Sequence, residues 1–132
     1  MDARPVPAPT PESLPYWQGL KDGKLLIQTC AACGKLRHYP RPVCDACFSM
    51  EATWTLASGH GTIHSWVRAH HAFLPEFKPD LPYVLVTVDL VEGVRMNARL
   101  VGSEADPVIG APVCFNAVPG DSEWHYPVFV VE

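Results

Sequence analysis

Four cysteines form two C-x-x-C pairs within one short stretch, "CAACGKLRHYPRPVCDAC", which runs from Cys30 to Cys47. Each pair folds into a tight turn that brings two thiolates to one ion, so Cys30, Cys33, Cys44 and Cys47 supply the four sulfur ligands that Zn²⁺ binds tetrahedrally. Because four protein ligands leave no open position on the metal, such a site is structural. We predict one structural zinc ion per chain, with iron in a rubredoxin-like site as the alternative.

The residues next to the cysteines carry further information. Gly34 follows the first pair, where the turn favours a residue that tolerates positive φ, but Phe48 follows the second pair, so that turn must relax or carry slight strain. Lys35, Arg37 and Arg41 flank the cluster, and we expect them to offset the double negative charge of a Zn²⁺ ion bound by four thiolates.

No sequence motif for catalysis accompanies the cysteines. The chain has six histidines, but it contains no nucleophile elbow, H-E-x-x-H or phosphate-binding loop. His70 and His71 are adjacent, and adjacent residues on a strand point to opposite faces, so exposed loop histidines are expected, with a metal or acid–base pair as the alternative. Cys114, in the apolar run "PVCFNAV", is expected to be a buried core thiol. We predict no catalytic residue and no enzymatic activity for the chain alone.

Charge and apolar content limit the classes of partner. No stretch has the roughly 18 uncharged apolar residues of a membrane span, and the N-terminus "MDARPVPAPTPES" lacks the features of a signal peptide. A cytoplasmic location with reduced thiols is therefore expected, which favours metal binding over disulfides. Residues 1–47 contain six Lys/Arg and four Asp/Glu, whereas residues 48–132 contain four and ten. This acidic half disfavours nucleic acid, whose binding needs a basic surface.

The elements that position the cysteines are short. Prolines alternate with other residues in an arm over 1–13, and a short helix is predicted over 12–20. "KLLIQT" and "KLRHYP" are predicted as ribbon strands. Later strands are predicted near 53–57, 60–69, 83–91, 94–101, 112–118 and 127–131. The fold class is mainly β, with three parts: the arm at 1–13, helix and rubredoxin-like zinc ribbon at 14–50, and a five-stranded OB-fold barrel at 51–132.

Several aromatic residues are predicted outside the strand interiors. The long connection "AHHAFLPEFKPDLP" and the segment 120–126 are rich in aromatic side chains, which dominate the energetics of protein interfaces. A role in closing the small core is the alternative for these rings. The predicted partner interface consists of Phe73, Phe77, Trp124, Tyr126 and Trp17.

Taken in order, "HYPRPVC", "SGHGTIHSW", "LPYVLVTVDLVEGVRMNARLVG" and "IGAPV" resemble a known family over about residues 16–131. It is the family of zinc-ribbon/OB-fold proteins that accompany thiolases and related acyl-CoA enzymes, including thiolase-like aldolases that shorten steroid side chains. The family pattern usually has Gly where this chain has Phe48.

The resemblance implies a non-catalytic accessory subunit in a hetero-oligomer with a thiolase-like acyl transferase or retro-aldolase. It also implies that the partner provides most of the binding site for the CoA thioester. Two alternatives come from other classes of protein: a nucleic-acid-binding OB-fold, and a rubredoxin-like electron carrier.

Overall fold

The computed structural model describes residues 6–132, so residues 1–5 of the predicted arm lie outside the described part. Helix α1 spans Leu14–Lys21, close to the predicted helix over 12–20. Ser13 precedes it, and the Ser13 hydroxyl accepts a hydrogen bond from the backbone N–H of Thr10 at 2.9 Å. Pro15 stands in the first turn, where a missing N–H costs nothing. Tyr16 and Leu20 are buried and lie on the face that packs inward.

The zinc-ribbon region contains a three-stranded antiparallel sheet in the order β2-β1-β3. Strand β1 spans Leu26–Cys30, β2 spans Leu36–Arg37 and β3 spans Ala52–Leu56. The strand predicted for "KLRHYP" is therefore only two residues long. β3 follows the predicted boundary at residue 51 but pairs with β1 and not with a barrel strand. The division of the chain into parts at 1–13, 14–50 and 51–132 stays a prediction.

Five further strands close into a barrel in the order β4-β5-β6-β8-β7. The strands are β4 (His60–Ala69), β5 (Tyr83–Leu90), β6 (Arg95–Leu100), β7 (Pro112–Pro119) and β8 (His125–Val131). Neighbours are antiparallel except for the short parallel pairing of β6 with β8. The predicted mainly β fold with a five-stranded OB-fold barrel is confirmed.

One continuous core joins α1, the ribbon and the barrel. Alternate residues of β5 and β6 point inward, as period-2 alternation requires. Gly61 of β4 pairs with Leu90 of β5, and a Cβ at Gly61 would be 2.6 Å from a methyl group of Val88, so only glycine fits this close approach. The buried side chains of this core are Tyr16, Leu20, Leu25, Ile27, Ala57, Ile63, Val86, Val88, Leu90, Val94, Met96, Ala98, Leu100, Val113 and Phe129.

Two connections lie beside the same part of the barrel wall. The connection between β4 and β5 contains a 3-10 helix, Pro75–Asp80. The connection between β7 and β8 is a tight turn in which the N–H of Gly120 donates to the carbonyl of Trp124. β8 begins at His125, two residues before its predicted start, so Tyr126 lies inside a strand and not in a connection as predicted. Among residues 6–132, no helix is long and apolar enough to cross a membrane.

Candidate metal centre and outer groove

The four cysteine sulfurs converge on one point at the end of β1. All four Sγ atoms of Cys30, Cys33, Cys44 and Cys47 lie within 4.8 Å of one another. The Cys30–Cys47 and Cys33–Cys44 pairs are 3.5 and 3.7 Å apart. Tetrahedral zinc with Zn–S bonds of about 2.3 Å needs sulfurs about 3.8 Å apart. The arrangement therefore fits a tetrahedral ion with four thiolate ligands.

The two turns that carry the cysteines have the same backbone hydrogen bonds. In the first, the N–H of Gly34 donates to the carbonyl of Cys30 at 2.9 Å, and in the second the N–H of Phe48 donates to the carbonyl of Cys44 at 3.0 Å. Backbone N–H groups also point at sulfur: Cys33 N lies 3.5 Å from Cys30 Sγ and Ala46 N lies 3.4 Å from Cys44 Sγ. These dipoles stabilise thiolates.

At neutral pH the Cys47 thiol keeps its proton unless a cation is bound. The backbone N–H of Cys33 lowers the pKa of the Cys30 thiol to about 6, and the N–H of Cys47 lowers the pKa of the Cys44 thiol. A hydrogen bond from the N–H of Ser49 lowers the pKa of the Cys47 thiol. The neighbouring sulfurs, that of Cys30 most strongly, raise it by more, so that the pKa reaches about 11. A divalent cation supplies the charge that lets the fourth thiol lose its proton.

Charged side chains tie the two cysteine turns together. Lys35, after the first turn, donates to the carboxylate of Asp45, inside the second, at 2.8 Å, and Arg41 lies 3.9 Å from the same carboxylate. These pairs are exposed and contribute little to stability individually. Arg37 differs from its neighbours, because its side chain is buried and faces Gln28, so charge compensation is only part of what it does.

The fifth cysteine lies apart from this cluster. Cys114 is in β7 and its Cα is paired with His60 of β4 and Val130 of β8. Its side chain is half-buried, so the expectation of a buried core thiol was wrong. The reason is that Val113 and Phe115, its neighbours, face the barrel interior and leave Cys114 on the outer face.

A groove of about 490 Å³ lies on the outer face of the barrel. Its walls are the 3-10 helix on one side and the β7–β8 turn on the other. On its floor, the guanidinium carbon of Arg99 lies 4.0 Å from the ring centre of Tyr83 and 5.7 Å from that of Phe77. Arg99 also donates to Asp80 at 3.0 Å. Asp121 lines the opposite wall of the groove, at the β7–β8 turn.

The five predicted interface residues fall into different environments. Phe73 is 92% exposed, and its ring lies edge-on to that of His71, with 4.9 Å between the ring centres. Phe77 and Tyr126 line the groove. Trp17 is half-buried, lies edge-on to Tyr126 at 6.4 Å and donates its indole N–H to the hydroxyl of Tyr39. Trp124 lies beneath the ammonium group of Lys21. Their role at an interface stays a prediction.

Sequence reasoning missed Asp80, Tyr83 and Arg99. Arg99 is remote in the chain from Asp80 and Tyr83, and only the register that places Leu85 opposite Arg99 brings it to the same face of the barrel. The one available signal was an arginine at an outward position of an otherwise regular strand, since long cationic side chains often lie over aromatic rings.

Two family models match consecutive parts of the chain. The model for the rubredoxin-like zinc ribbon domain of ChsH2 matches residues 17–51, and the model for the C-terminal OB-fold domain of ChsH2 matches residues 54–116. A solved structure, the Ltp2-ChsH2(DUF35) aldolase, has a chain that is 37% identical, with a TM-score of 0.84 over 96% of this chain and 98% of that chain. The chain belongs to the ChsH2/DUF35 family.

Curated relatives of this ChsH2/DUF35 chain are subunits of larger enzymes. It is 39% identical, over 96% of its length, to a probable enoyl-CoA hydratase alpha subunit of Thermomonospora curvata. It is 36% identical, over 85% of its length, to the 3-oxo-4,17-pregnadiene-20-carboxyl-CoA hydratase alpha subunit of Mycobacterium tuberculosis. The chain spans 39% and 35% of the length of these two proteins. The family prediction made from the sequence motifs is confirmed.

Proposed function

We propose that this chain is a non-catalytic accessory subunit that completes a thiolase-like enzyme acting on CoA thioesters. The observation that carries the proposal is the match to the ChsH2(DUF35) chain of an aldolase over nearly the full length of both chains. The partner provides the reacting groups and most of the thioester site. The reaction class is acyl transfer or retro-aldol cleavage, and the steroid-CoA name of the mycobacterial relative supports a role in steroid side-chain degradation.

The character of the metal centre supports a structural role. Cys30, Cys33, Cys44 and Cys47 bind one Zn²⁺ in this proposal, with iron as the alternative tested below. Zinc has no redox chemistry, and when bound it fixes the two cysteine turns and with them the end of β1. Reduced thiols of this kind also support a cytoplasmic location.

The exposed aromatic residues support a docking role. The ring of Phe73 is 92% exposed and contributes little to the stability of the free chain. Together with the exposed side chain of Leu74 next to it, the ring supports an apolar patch of the kind that marks interaction sites. The partner surface in this proposal is the loop 70–82, with Phe73 and Phe77, together with the 120–126 segment, with Trp124 and Tyr126, and Trp17 next to it.

The proposal is tested by purifying the tagged chain from its native host and identifying the proteins that remain bound. We expect a thiolase-like protein in a fixed stoichiometric ratio, and we expect light scattering to give the mass of a single hetero-oligomer. A chain that purifies as a free monomer from its native host would contradict the proposal. Binding of oligonucleotides that weakens steeply with added salt would favour the nucleic-acid alternative instead.

A further inference from the structure

The ribbon sheet has an open edge at β3. In the described part of the chain, β3 pairs with β1 on one side and with no strand on the other, whereas each strand of the closed barrel has a neighbour on both sides. The side chains of Ala52, Thr53 and Leu56 in β3 are exposed. One row of backbone groups of β3 therefore faces solvent.

Two backbone hydrogen bonds at the ends of β3 fix which of its groups form this row. The N–H of Ala31 donates to the carbonyl of Glu51 at 3.0 Å, and the N–H of Ala57 donates to the carbonyl of Leu25 at 2.9 Å. Because backbone groups in an antiparallel ladder point alternately toward and away from the paired strand, the odd-numbered residues of β3 bond to β1. The N–H and C=O groups of its even-numbered residues point away from the sheet, and nothing in residues 6–132 bonds to them. These residues are Ala52, Trp54 and Leu56.

The opposite edge of the same sheet is protected against further strands. β2 is only two residues long, Lys35 precedes it, and Pro40 and Pro42 follow it. A short strand, lysine and proline are devices by which edge strands avoid pairing with other chains. β3 has five residues, an unbroken register with β1, and no proline, lysine or arginine. The β3 edge is therefore built to accept another strand, and the β2 edge is not.

The area that one strand can bury decides between the possible occupants. A strand of five residues is about 17 Å long, whereas a stable interface buries about 800 Å² on each partner. Two copies of the chain joined only through β3 would lack most of this area. A partner that also covers the proposed surface on the loop 70–82 supplies it. The area therefore favours a strand of the partner enzyme over a second copy.

We propose that an extended, uncharged segment of the partner enzyme adds to β3 as a fourth strand of the ribbon sheet. Its backbone exchanges hydrogen bonds with Ala52, Trp54 and Leu56, and in strand addition these main-chain bonds supply the affinity. The segment is uncharged because β3 has no charged side chain to pair with across the strands. The inference rests on the proposed function, since the strand belongs to that partner, and it brings the ribbon into direct contact with the partner.

Amide hydrogen exchange tests the added strand without any substitution. Exchange proceeds in the zinc-loaded chain and in the complex that co-purifies from the native host, is quenched, and is measured for each residue by NMR in dimethyl sulfoxide. We expect the amides of Ala52, Trp54 and Leu56 to exchange at least tenfold more slowly in the complex than in the isolated chain. The amides of Thr53 and Thr55, which already bond to β1, should be protected in both.

A proline at the edge tests the same bonds by affinity. Ala52→Pro removes one outward N–H and no bond to β1, and Ala52→Val is the matched control that keeps this N–H. We expect Ala52→Pro to keep its zinc and to bind the isolated partner at least tenfold more weakly, and Ala52→Val to bind within threefold of the wild-type chain. Leu56→Ala should also stay within threefold, because it keeps every main-chain group. Calorimetry measures the four affinities.

The outcomes separate this inference from the proposed function. Unchanged exchange at the three outward amides in an intact complex would overturn the added strand while the accessory function stands. Equal affinities of Ala52→Pro and Ala52→Val would do the same. A concentration-dependent dimer of the isolated chain that Ala52→Pro disrupts would identify a second copy as the occupant and would also overturn the inference. A wild-type chain that forms no complex at all would contradict the proposed function and the inference with it.

Discussion

Gly34 and Phe48 occupy equivalent positions in the two cysteine turns, and both have positive φ, 79° and 63°. The backbone N–H of each donates to the carbonyl of the first cysteine of its pair. A side chain in this left-handed region costs roughly 1–2 kcal/mol, whereas glycine adopts it without steric cost. The second turn therefore carries strain that the first does not, as the sequence suggested.

We expect Phe48→Gly to stabilise the zinc-loaded chain by roughly 0.5–1 kcal/mol, because the gain from relieved strain exceeds the entropic cost of glycine. The ring is 77% exposed, so little packing is lost. Urea unfolding measures the change. Phe48→Ala is the control, since it removes the ring and keeps the strain, and Gly34→Ala should destabilise by about 1 kcal/mol. Equal stability of Phe48→Gly and Phe48→Ala would refute strain at this position.

Removal of two sulfurs should abolish metal binding. In the Cys30→Ser/Cys33→Ser variant we expect less than a tenth of the metal of the wild-type chain and loss of cooperative unfolding, because structural zinc contributes on the order of 10 kcal/mol to the folding of small modules. Cys114→Ser should keep about one zinc per chain. Elemental analysis measures both and also distinguishes zinc from iron. A full complement of metal in the double variant would show that the ligands lie elsewhere.

Gln28 and Arg37 form a buried pair, and the effects of replacing them on the free energy of unfolding should be strongly coupled. The side-chain carbonyl of Gln28 accepts from Nε of Arg37 at 2.6 Å and from the backbone N–H of Arg41 at 2.7 Å. Arg37 is only 4% exposed and its Nη1 has no hydrogen-bond partner among the described residues, so loss of Gln28 would leave a buried cation still less satisfied.

Gln28→Leu should therefore destabilise the chain by about 3 kcal/mol, because a buried guanidinium that loses its acceptor keeps its full desolvation penalty. Gln28→Leu/Arg37→Leu should destabilise it by less than the sum of the single changes, with a coupling of about 2 kcal/mol. Chemical denaturation of the four proteins measures the cycle. Additive changes would mean that the two side chains act independently.

Features that depend on residues close together in the sequence were predicted, and features that depend on residues far apart in the sequence were not. The convergence of the four cysteine sulfurs was predicted because their spacing alone places two sulfurs in each turn. Strand β4 was predicted at its observed bounds, 60–69, because its alternation is local. The groove was not predicted, since Tyr83 and Arg99 meet only through the β5–β6 register. Which side of α1 packs inward also depends on residues distant in sequence, because Tyr16 is buried against the ribbon and barrel core.

His38 should remain neutral well below neutral pH. Burial lowers its pKa to about 4, against about 6.5 for an unfolded chain. The unfolded state therefore binds a proton that the folded state does not, and the free energy of unfolding should fall as pH decreases from about 6.5 toward 4, by roughly 3 kcal/mol at the lower limit. His38→Phe should remove this dependence while it keeps a ring against Tyr16.

NMR of the zinc-loaded chain checks the charge state of His38 directly. The ring resonances of His38 should stay at their neutral positions down to pH 5.5, and the same residue in urea-unfolded chain should titrate near 6.5. A midpoint above 6 in the folded chain would contradict the buried, neutral imidazole.

Phe73→Ala should weaken the complex with the partner without affecting the fold. Because the ring is so exposed, its loss leaves the unfolding free energy within about 0.5 kcal/mol. Truncation of a central aromatic anchor costs about 2 kcal/mol in binding, or roughly 30-fold in affinity. Leu56→Ala is the matched control, because it truncates an exposed apolar side chain in β3 and keeps the main-chain groups. Calorimetry that gives equal affinities for Phe73→Ala and Leu56→Ala would place the interface elsewhere.

The central claim, that this ChsH2/DUF35 chain completes a partner enzyme without catalysing a reaction itself, is tested most directly by turnover of acyl-CoA substrates with separated and mixed subunits. We expect no turnover with the isolated chain, little with the isolated partner, and at least a tenfold gain when the two are mixed in equimolar amounts. The Cys30→Ser/Cys33→Ser variant should fail to restore activity, and Cys114→Ser should restore it fully. Robust turnover by the pure chain, or full activity of the partner without it, would contradict the account.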